Sequence, residues 1–60
     1  MRYVYYLNGK KITRKVLEDV YGKDRIKKLS KQAYEMYLED RYVQNDFFMG
    51  NAMLTIQVFP

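Results

Sequence analysis

The side chains that most often carry enzyme chemistry are scarce in this sequence. It contains no histidine and no cysteine, so a Ser–His or Cys–His arrangement has neither its base nor its thiolate. Ser30 lies among lysines with no suitable general base nearby in the sequence. The carboxylate pairs Glu35 with Glu39 and Asp40 with Asp46 are of a kind common on solvated surfaces. We therefore expect that the protein is not an enzyme.

Cofactor and metal sites have equally little support. Asp40, Asn45 and Asp46 offer oxygen ligands but lack the spacing of a calcium-binding loop, and a cysteine-based zinc site has no ligands. Gly9 and Gly22 are isolated turn glycines and do not form a phosphate-binding loop. The sequence predicts neither a cofactor nor a metal ion.

The strongest chemical feature is an uneven distribution of charge. From Lys10 to Lys31 the chain has nine Lys/Arg against three Asp/Glu, a net charge of +6, whereas the part from Gln32 onward carries −3. A solvated helix face has this composition, and so does a surface that docks on an acidic partner. The candidate basic face consists of Arg14, Lys15, Lys23, Lys27, Lys28 and Lys31.

Nucleic acid is an alternative partner for this basic face. Seven tyrosines offer stacking surfaces for bases, and two helices around Gly22 followed by a hairpin suggest a winged helix-turn-helix. The match to that motif is poor, because Glu18 stands where a small residue is usual and Lys28 where an aliphatic one is usual. Protein binding is therefore the first hypothesis and nucleic-acid binding the second.

A long amphipathic helix from Asp24 to Asp40 carries much of this basic face. An apolar stripe recurs along it at steps of three and four residues, formed by Ile26, Leu29, Ala33, Met36 and Tyr37. Asp24 is predicted to be its N-cap. A shorter helix, from Arg14 to Tyr21, is predicted between an N-cap at Thr13 and a stop at Gly22. Its expected buried side consists of Ile12, Val16, Leu17, Val20 and Tyr21.

Three stretches have strand character. Arg2–Leu7 is β-branched and aromatic with two apolar faces, which indicates a central strand, and Asn8-Gly9 is a turn signal. Lys10 to Ile12 either pairs back briefly or leads directly into the first helix. Phe47–Met49 and Ala52–Phe59 are predicted to form a hairpin around Gly50-Asn51, which pairs Phe47 with Leu54, Phe48 with Met53, Asp46 with Thr55, Gln44 with Gln57 and Val43 with Val58.

Asn45 conflicts with this hairpin. The register places it on the inner, apolar face opposite Ile56, so we expect the paired region to end before Asn45 or to contain a bulge there.

These elements predict a single α+β domain over residues 1–60. The expected order is β-α-α-β-β, a three-stranded antiparallel sheet with two helices packed on one face. The other face of the sheet would carry a second candidate contact surface, formed by Tyr42, Phe48, Met53 and Phe59 with Tyr6 as a further member. The C-terminal strand could add pairing along an edge, and a homodimer formed by pairing two sheets is a further alternative.

The order of these pieces resembles a known class of proteins. The run YYLNGKKITRKVLEDVYG, a charged helix ending in YLED and the hairpin FFMGNAMLTIQVF are similar to small early-region accessory proteins of bacteriophages and prophages of low-GC Gram-positive bacteria. The resemblance implies a viral, non-enzymatic binder that blocks or redirects host machinery, such as CRISPR nucleases, restriction systems, polymerases or repair enzymes. The basic charge counts against mimicry of DNA.

The sequence therefore predicts a protein that docks on a host protein and inhibits or modulates it, with an anti-CRISPR role as one candidate. The alternatives are a nucleic-acid-binding module and a structural homo-oligomer. The apolar stretch Tyr3 to Leu7 is too short for a signal core or a membrane span. We expect a cytoplasmic location, in the host cell if the protein is phage-encoded, and no contact with membrane.

Overall fold

The computed structural model describes all 60 residues as an α+β fold with a four-stranded antiparallel sheet. The elements along the chain are β1 (Arg2–Leu7), β2 (Lys10–Ile12), α1 (Arg14–Tyr21), α2 (Lys23–Asp40), β3 (Gln44–Phe48) and β4 (Met53–Phe59). The strand order across the sheet is β2-β1-β4-β3. The α+β class is confirmed, but three strands in the order β-α-α-β-β was wrong. The C-terminal strand β4 is internal, so it offers no free edge.

The additional strand is β2, which pairs with β1 across the Asn8-Gly9 turn. Both turn residues have positive φ, 52° and 82°, as a two-residue hairpin turn requires. Leu7 lies opposite Lys10 and Tyr5 lies opposite Ile12. Three residues are too few to show a strand period, but this short strand brings Ile12 against the core.

The two helices meet at Gly22. Thr13 Oγ1 accepts a hydrogen bond from the Val16 amide at 3.3 Å, which confirms the predicted N-cap of α1. Gly22 has φ 97° and ends α1 as expected. The predicted start of α2 was wrong by one residue, because the helix begins at Lys23 and no side chain caps it. Asp24 lies in the first turn, where its negative charge interacts favourably with the helix dipole.

The core lies between the helices and one face of the sheet. Its fully buried side chains are Leu17, Ile26, Leu54, Ile56 and Val58. The buried side predicted for α1 was too wide, because Val16 and Val20 are exposed. Leu17 occupies the centre of the contact, so the two valines fall on a flank of this short helix that nothing covers. Met36 is likewise 40% exposed, at the margin of the stripe on α2.

The register of the β3–β4 hairpin agrees with the prediction at every pair. Phe47 lies opposite Leu54, Asp46 opposite Thr55 and Gln44 opposite Gln57, and the Met49 amide bonds to the Ala52 carbonyl at 2.8 Å. The strand bounds differed, because the pairing runs through Gln44 and Asn45 without a bulge. The position of Asn45 on the apolar face costs free energy, because Asn45 Nδ2 is buried and has no hydrogen-bond partner.

Candidate functional site

Only one face of the sheet is covered by the helices. Tyr5 of β1 and three residues of β4 point into the core, and the Tyr5 hydroxyl hydrogen-bonds to Ser30 Oγ of α2 at 3.0 Å. The alternate residues of each strand point the other way. We call this uncovered side of the sheet the open face; it carries Arg2, Val4, Tyr6, Lys11, Gln44, Asp46, Phe48, Met53, Thr55, Gln57 and Phe59.

The middle of the open face, on its β3–β4 half, is polar. Thr55 Oγ1 donates to Asp46 Oδ1 at 2.6 Å, and Gln57 Nε2 donates to Gln44 Oε1 at 3.0 Å. Both bonds join residues that lie directly opposite each other on the two strands. Because each side chain satisfies its neighbour, these two rows form an ordered polar block.

Aromatic and aliphatic side chains surround this polar block. Phe48 lies opposite Met53 at one end, and its side chain is 80% exposed. Phe59 lies at the other end, where the Arg2 guanidinium stands 5.3 Å from the centre of its ring. The β1–β4 register places Val4 and Tyr6 between these ends, opposite Gln57 and Thr55. The result is a continuous apolar arc, which consists of Phe48, Met53, Tyr6, Val4 and Phe59.

The four residues predicted for the sheet surface are all on this side of the molecule, but in two groups. Phe48 and Met53 form one group. Tyr42 precedes β3 and is 56% exposed. The Val58 amide bonds to the Val43 carbonyl, which extends the β3–β4 ladder by one residue and places Tyr42 opposite Phe59. Val4 links the groups and was missed as a surface residue, because its neighbours give it the pattern of a doubly buried strand.

The basic face predicted from the sequence is divided. Ile26, Ser30 and Ala33 are the buried residues of α2, so the exposed Lys27, Lys28 and Lys31 lie roughly 100–200° around the helix from Ile26, away from the sheet. Lys23, at the first position of α2, and Lys15, on α1, are also exposed.

Arg14 differs from the other members of this cluster because it forms an ion pair. Its Nε is 3.1 Å from Glu18 Oε2, one turn further along α1, and this is the only ion pair in the molecule. Arg14 is also close enough to Tyr3 of β1 to influence its titration. The free lysines of α2, which are Lys23, Lys27, Lys28 and Lys31, therefore make up most of the basic face.

The two predicted contact surfaces point in opposite directions. The α2 lysines lie on the outer side of the helix layer, and the apolar arc lies on the far side of the sheet. A single flat partner surface cannot contact both. The sequence alone did not separate them, because a helix pattern and a strand pattern each define a face without saying how the two layers stack.

The surface contains no pocket and no cluster of three or more potential metal-ligating side chains. Neither helix is long and apolar enough to cross a membrane. Comparison of the chain with models of known protein families, with curated proteins and with solved structures gave no match.

Proposed function

We propose that the protein is a non-enzymatic binding protein that docks on another protein through the apolar arc of the open face and so inhibits or modulates it. The observation that supports this proposal best is the position of that arc on the uncovered side of the sheet: Phe48 is 80% exposed, and Met53, Tyr6, Val4 and Phe59 are partly accessible with no helix over them. Uncovered aromatic surface beside a polar block is typical of protein interfaces.

The charges beside the arc favour a particular partner chemistry. Lys11 lies opposite Tyr6, and Arg2 lies opposite Phe59. A partner that places apolar side chains on the arc and carboxylates next to its β1–β2 side would match both features. The α2 lysines, on the far side, then increase the rate of encounter with an acidic protein without touching it. The resemblance to phage accessory proteins makes a bacterial host protein, such as a defence nuclease, the first class to examine.

The test compares variants of the two surfaces on the same purified partner. Candidate partners are isolated from a host lysate, purified and titrated with the wild-type chain and with Met53→Thr/Phe59→Thr, which leaves the inner face intact. Loss of two interface anchors should weaken the affinity by about tenfold or more. The matched control is Lys27→Glu/Lys28→Glu/Lys31→Glu, which should lower the association rate and its salt dependence while changing the dissociation rate little.

Unchanged affinity in Met53→Thr/Phe59→Thr, with its fold verified by circular dichroism, would exclude the arc as the docking surface.

Nucleic-acid binding is a second candidate, supported by three exposed lysines on adjacent turns of α2 that make no ion pair. It is tested with a fluorescent duplex and a single strand at low and moderate salt. Binding that falls steeply with salt, and that disappears in the triple Lys→Glu variant, would establish this function in place of protein docking. We expect no saturable binding to either probe.

A further inference from the structure

The outer edge of β3 leaves main-chain groups without partners. In an antiparallel pair, successive residues alternate between bonding to the neighbouring strand and pointing away from it. The Val58 amide bonds to the Val43 carbonyl and the Met49 amide to the Ala52 carbonyl, so the odd-numbered residues of β3 bond to β4. Gln44, Asp46 and Phe48 therefore direct their N–H and C=O groups outward at the edge of the sheet.

This edge lacks the usual protection against strand pairing. Proteins commonly protect an edge with lysine, proline, a bulge or a very short strand. β2, the opposite edge, has only three residues, and two of them are lysines. β3 has five residues, no lysine, no proline and no bulge, and the carboxylate of Asp46, its one charged residue, is already hydrogen-bonded to Thr55. Tyr42 and Val43, just before β3, are 56% and 51% exposed, and Phe48, the last residue of β3, is 80% exposed.

We propose that this edge binds a second copy of the chain, so that two β3 strands pair antiparallel about a two-fold axis into one eight-stranded sheet. The register places Asn45 opposite the partner's Asn45 at the axis. Gln44 then lies opposite the partner's Asp46, and Tyr42 opposite the partner's Phe48, each pair occurring twice.

The side chains on the open face are complementary in this register. Gln44 Oε1 already accepts from Gln57, which leaves the Gln44 amide N–H groups free to donate. Asp46 Oδ1 already accepts from Thr55, which leaves Oδ2 free to accept. A free amide donor thus meets a free carboxylate acceptor, and two exposed aromatic rings cover each other on either side.

The side chains on the helix side are complementary as well. Val43 comes opposite the partner's Phe47. Asn45 Nδ2 is the one buried side-chain nitrogen or oxygen without a hydrogen-bond partner. Residues opposite each other in a non-hydrogen-bonded pair have Cβ atoms about 4.5–5.5 Å apart, so the two Asn45 amides can bond across the axis. A polar residue at the axis also fixes the register, since any slip leaves it unpaired.

The helices leave room for this pairing. α2 packs over β4 and β3, so the two copies of α2 would lie two to three strand spacings apart, about 10–14 Å. Packed helices need only about 8–10 Å between their axes. Ser30 and Tyr34 lie on the side of α2 that faces β1. The other side of the helix is therefore the one nearest β3. Met36, which is 40% exposed, lies on that side and can fill the gap.

The competing symmetric register, shifted so that Asp46 faces the partner's Asp46, is disfavoured. In that register the two Asp46 carboxylates face each other at the axis, and like charges directly opposite each other destabilise a strand pair. It also places Gln44 opposite the partner's Phe48, so that an amide faces an aromatic ring.

Single cysteines test the register, because the natural chain has none. Asn45→Cys places two thiols opposite each other at the axis, within the range of Cα separations that a disulfide spans. We expect this variant to form a covalent dimer under mild oxidation at micromolar concentration. The matched control is Asp46→Cys, whose thiol lies opposite Gln44 of the partner subunit and should remain uncrosslinked. Crosslinking of the control instead of Asn45→Cys would overturn the register.

Sedimentation of the wild-type chain tests the dimer itself, with two variants at one position. Gln44→Glu places a carboxylate opposite the partner's Asp46, and this pair occurs twice per dimer. The repulsion should raise the dimer dissociation constant at least about tenfold at low salt. Gln44→Lys places a cation opposite the partner's Asp46 instead and should weaken the dimer much less than Gln44→Glu does. A wild-type chain that stays monomeric at millimolar concentration, or a Gln44→Glu dimer of wild-type affinity, would overturn the proposal. The dimer variants change no residue of the apolar arc, and Met53→Thr/Phe59→Thr changes none at the β3 edge, so the two proposals are tested separately although Phe48 belongs to both surfaces.

Discussion

The two faces of β4 differ more than any other neighbouring parts of the molecule. Leu54, Ile56 and Val58 on its inner face are completely buried, whereas Met53, Thr55, Gln57 and Phe59 on its open face remain partly accessible. Successive residues of one strand therefore differ in what they contact. The inner residues hold the helices and strands together, whereas the open-face residues contribute little to that core.

Truncating one residue on each face of β4 tests whether only the inner face stabilises the fold. Ile56→Ala removes a fully buried side chain from the centre of a small core and should cost about 2–5 kcal/mol of unfolding free energy. A 60-residue domain has little more than that in reserve, so we expect the variant to be largely unfolded at 25 °C. Urea titration followed by circular dichroism measures the loss.

Thr55→Ala is the control on the open face of the same strand. It removes the hydrogen bond to Asp46, which is exposed to solvent, and should cost about 1 kcal/mol or less. A cooperative transition for Ile56→Ala within about 1 kcal/mol of the wild type would contradict the assignment of stability to the inner face.

The inner face contains one buried polar pair, which allows a second test. Tyr5 and Ser30 are both about 95% buried, and their hydroxyls are 3.0 Å apart. Ser30→Ala leaves the tyrosine hydroxyl buried without a partner and should cost about 1–3 kcal/mol. Tyr5→Phe/Ser30→Ala removes both polar groups, so its cost should be smaller than the sum of the single variants.

The measurement is a double-mutant cycle in urea. Additive single and double costs would mean that the two hydroxyls do not stabilise each other.

Local signals explain why part of the fold could be predicted. The Thr13 cap, the stop at Gly22 and the Gly50-Asn51 turn depend on residues only a few positions apart, so their chemistry is visible in the sequence. Once the turn is fixed, the period of two along β4 determines every pair of the hairpin. β2 could not be predicted in this way, because three residues have no period and its pairing depends on β1 being present.

The expected end of pairing at Asn45 was wrong for a physical reason. An amide on an apolar face indicates the end of a strand, yet the strand continues through it. Main-chain ladder bonds on both sides of Asn45 favour continuation, and this outweighs one unsatisfied side-chain nitrogen in the monomer.

The residues of the two candidate surfaces could be named from the sequence, but their arrangement could not. Composition identified the lysines of α2 and the aromatic residues of the hairpin. Their positions on opposite sides of the molecule follow only from the stacking of helix layer on sheet, which no local pattern records. The role of Val4 in the apolar arc required the β1–β4 register, a pairing between the two ends of the chain.

The smallest expected effect concerns pH and the remaining tyrosine of the inner face. Tyr3 stacks on Tyr5 with ring centres 6.4 Å apart. Burial raises the pKa of Tyr3 above its ordinary value of 10.0, the neighbouring Tyr5 and Tyr34 hydroxyls raise it further, and Arg14 opposes the shift. The folded state thus retains this proton more tightly than the unfolded state. The resulting stability is complete below pH 10 and declines as the pH rises through the higher, folded-state pKa.

Tyr3→Phe removes this proton and should flatten that part of the decline. The measurement is the urea midpoint of wild type and variant at neutral pH and at several values from about pH 9.5 upward. The neutral-pH pair serves as the control, since the ionised form is absent there and any difference reports only the lost hydroxyl. Parallel curves for the two chains across the alkaline range would show that Tyr3 is not held neutral by the helix-covered face.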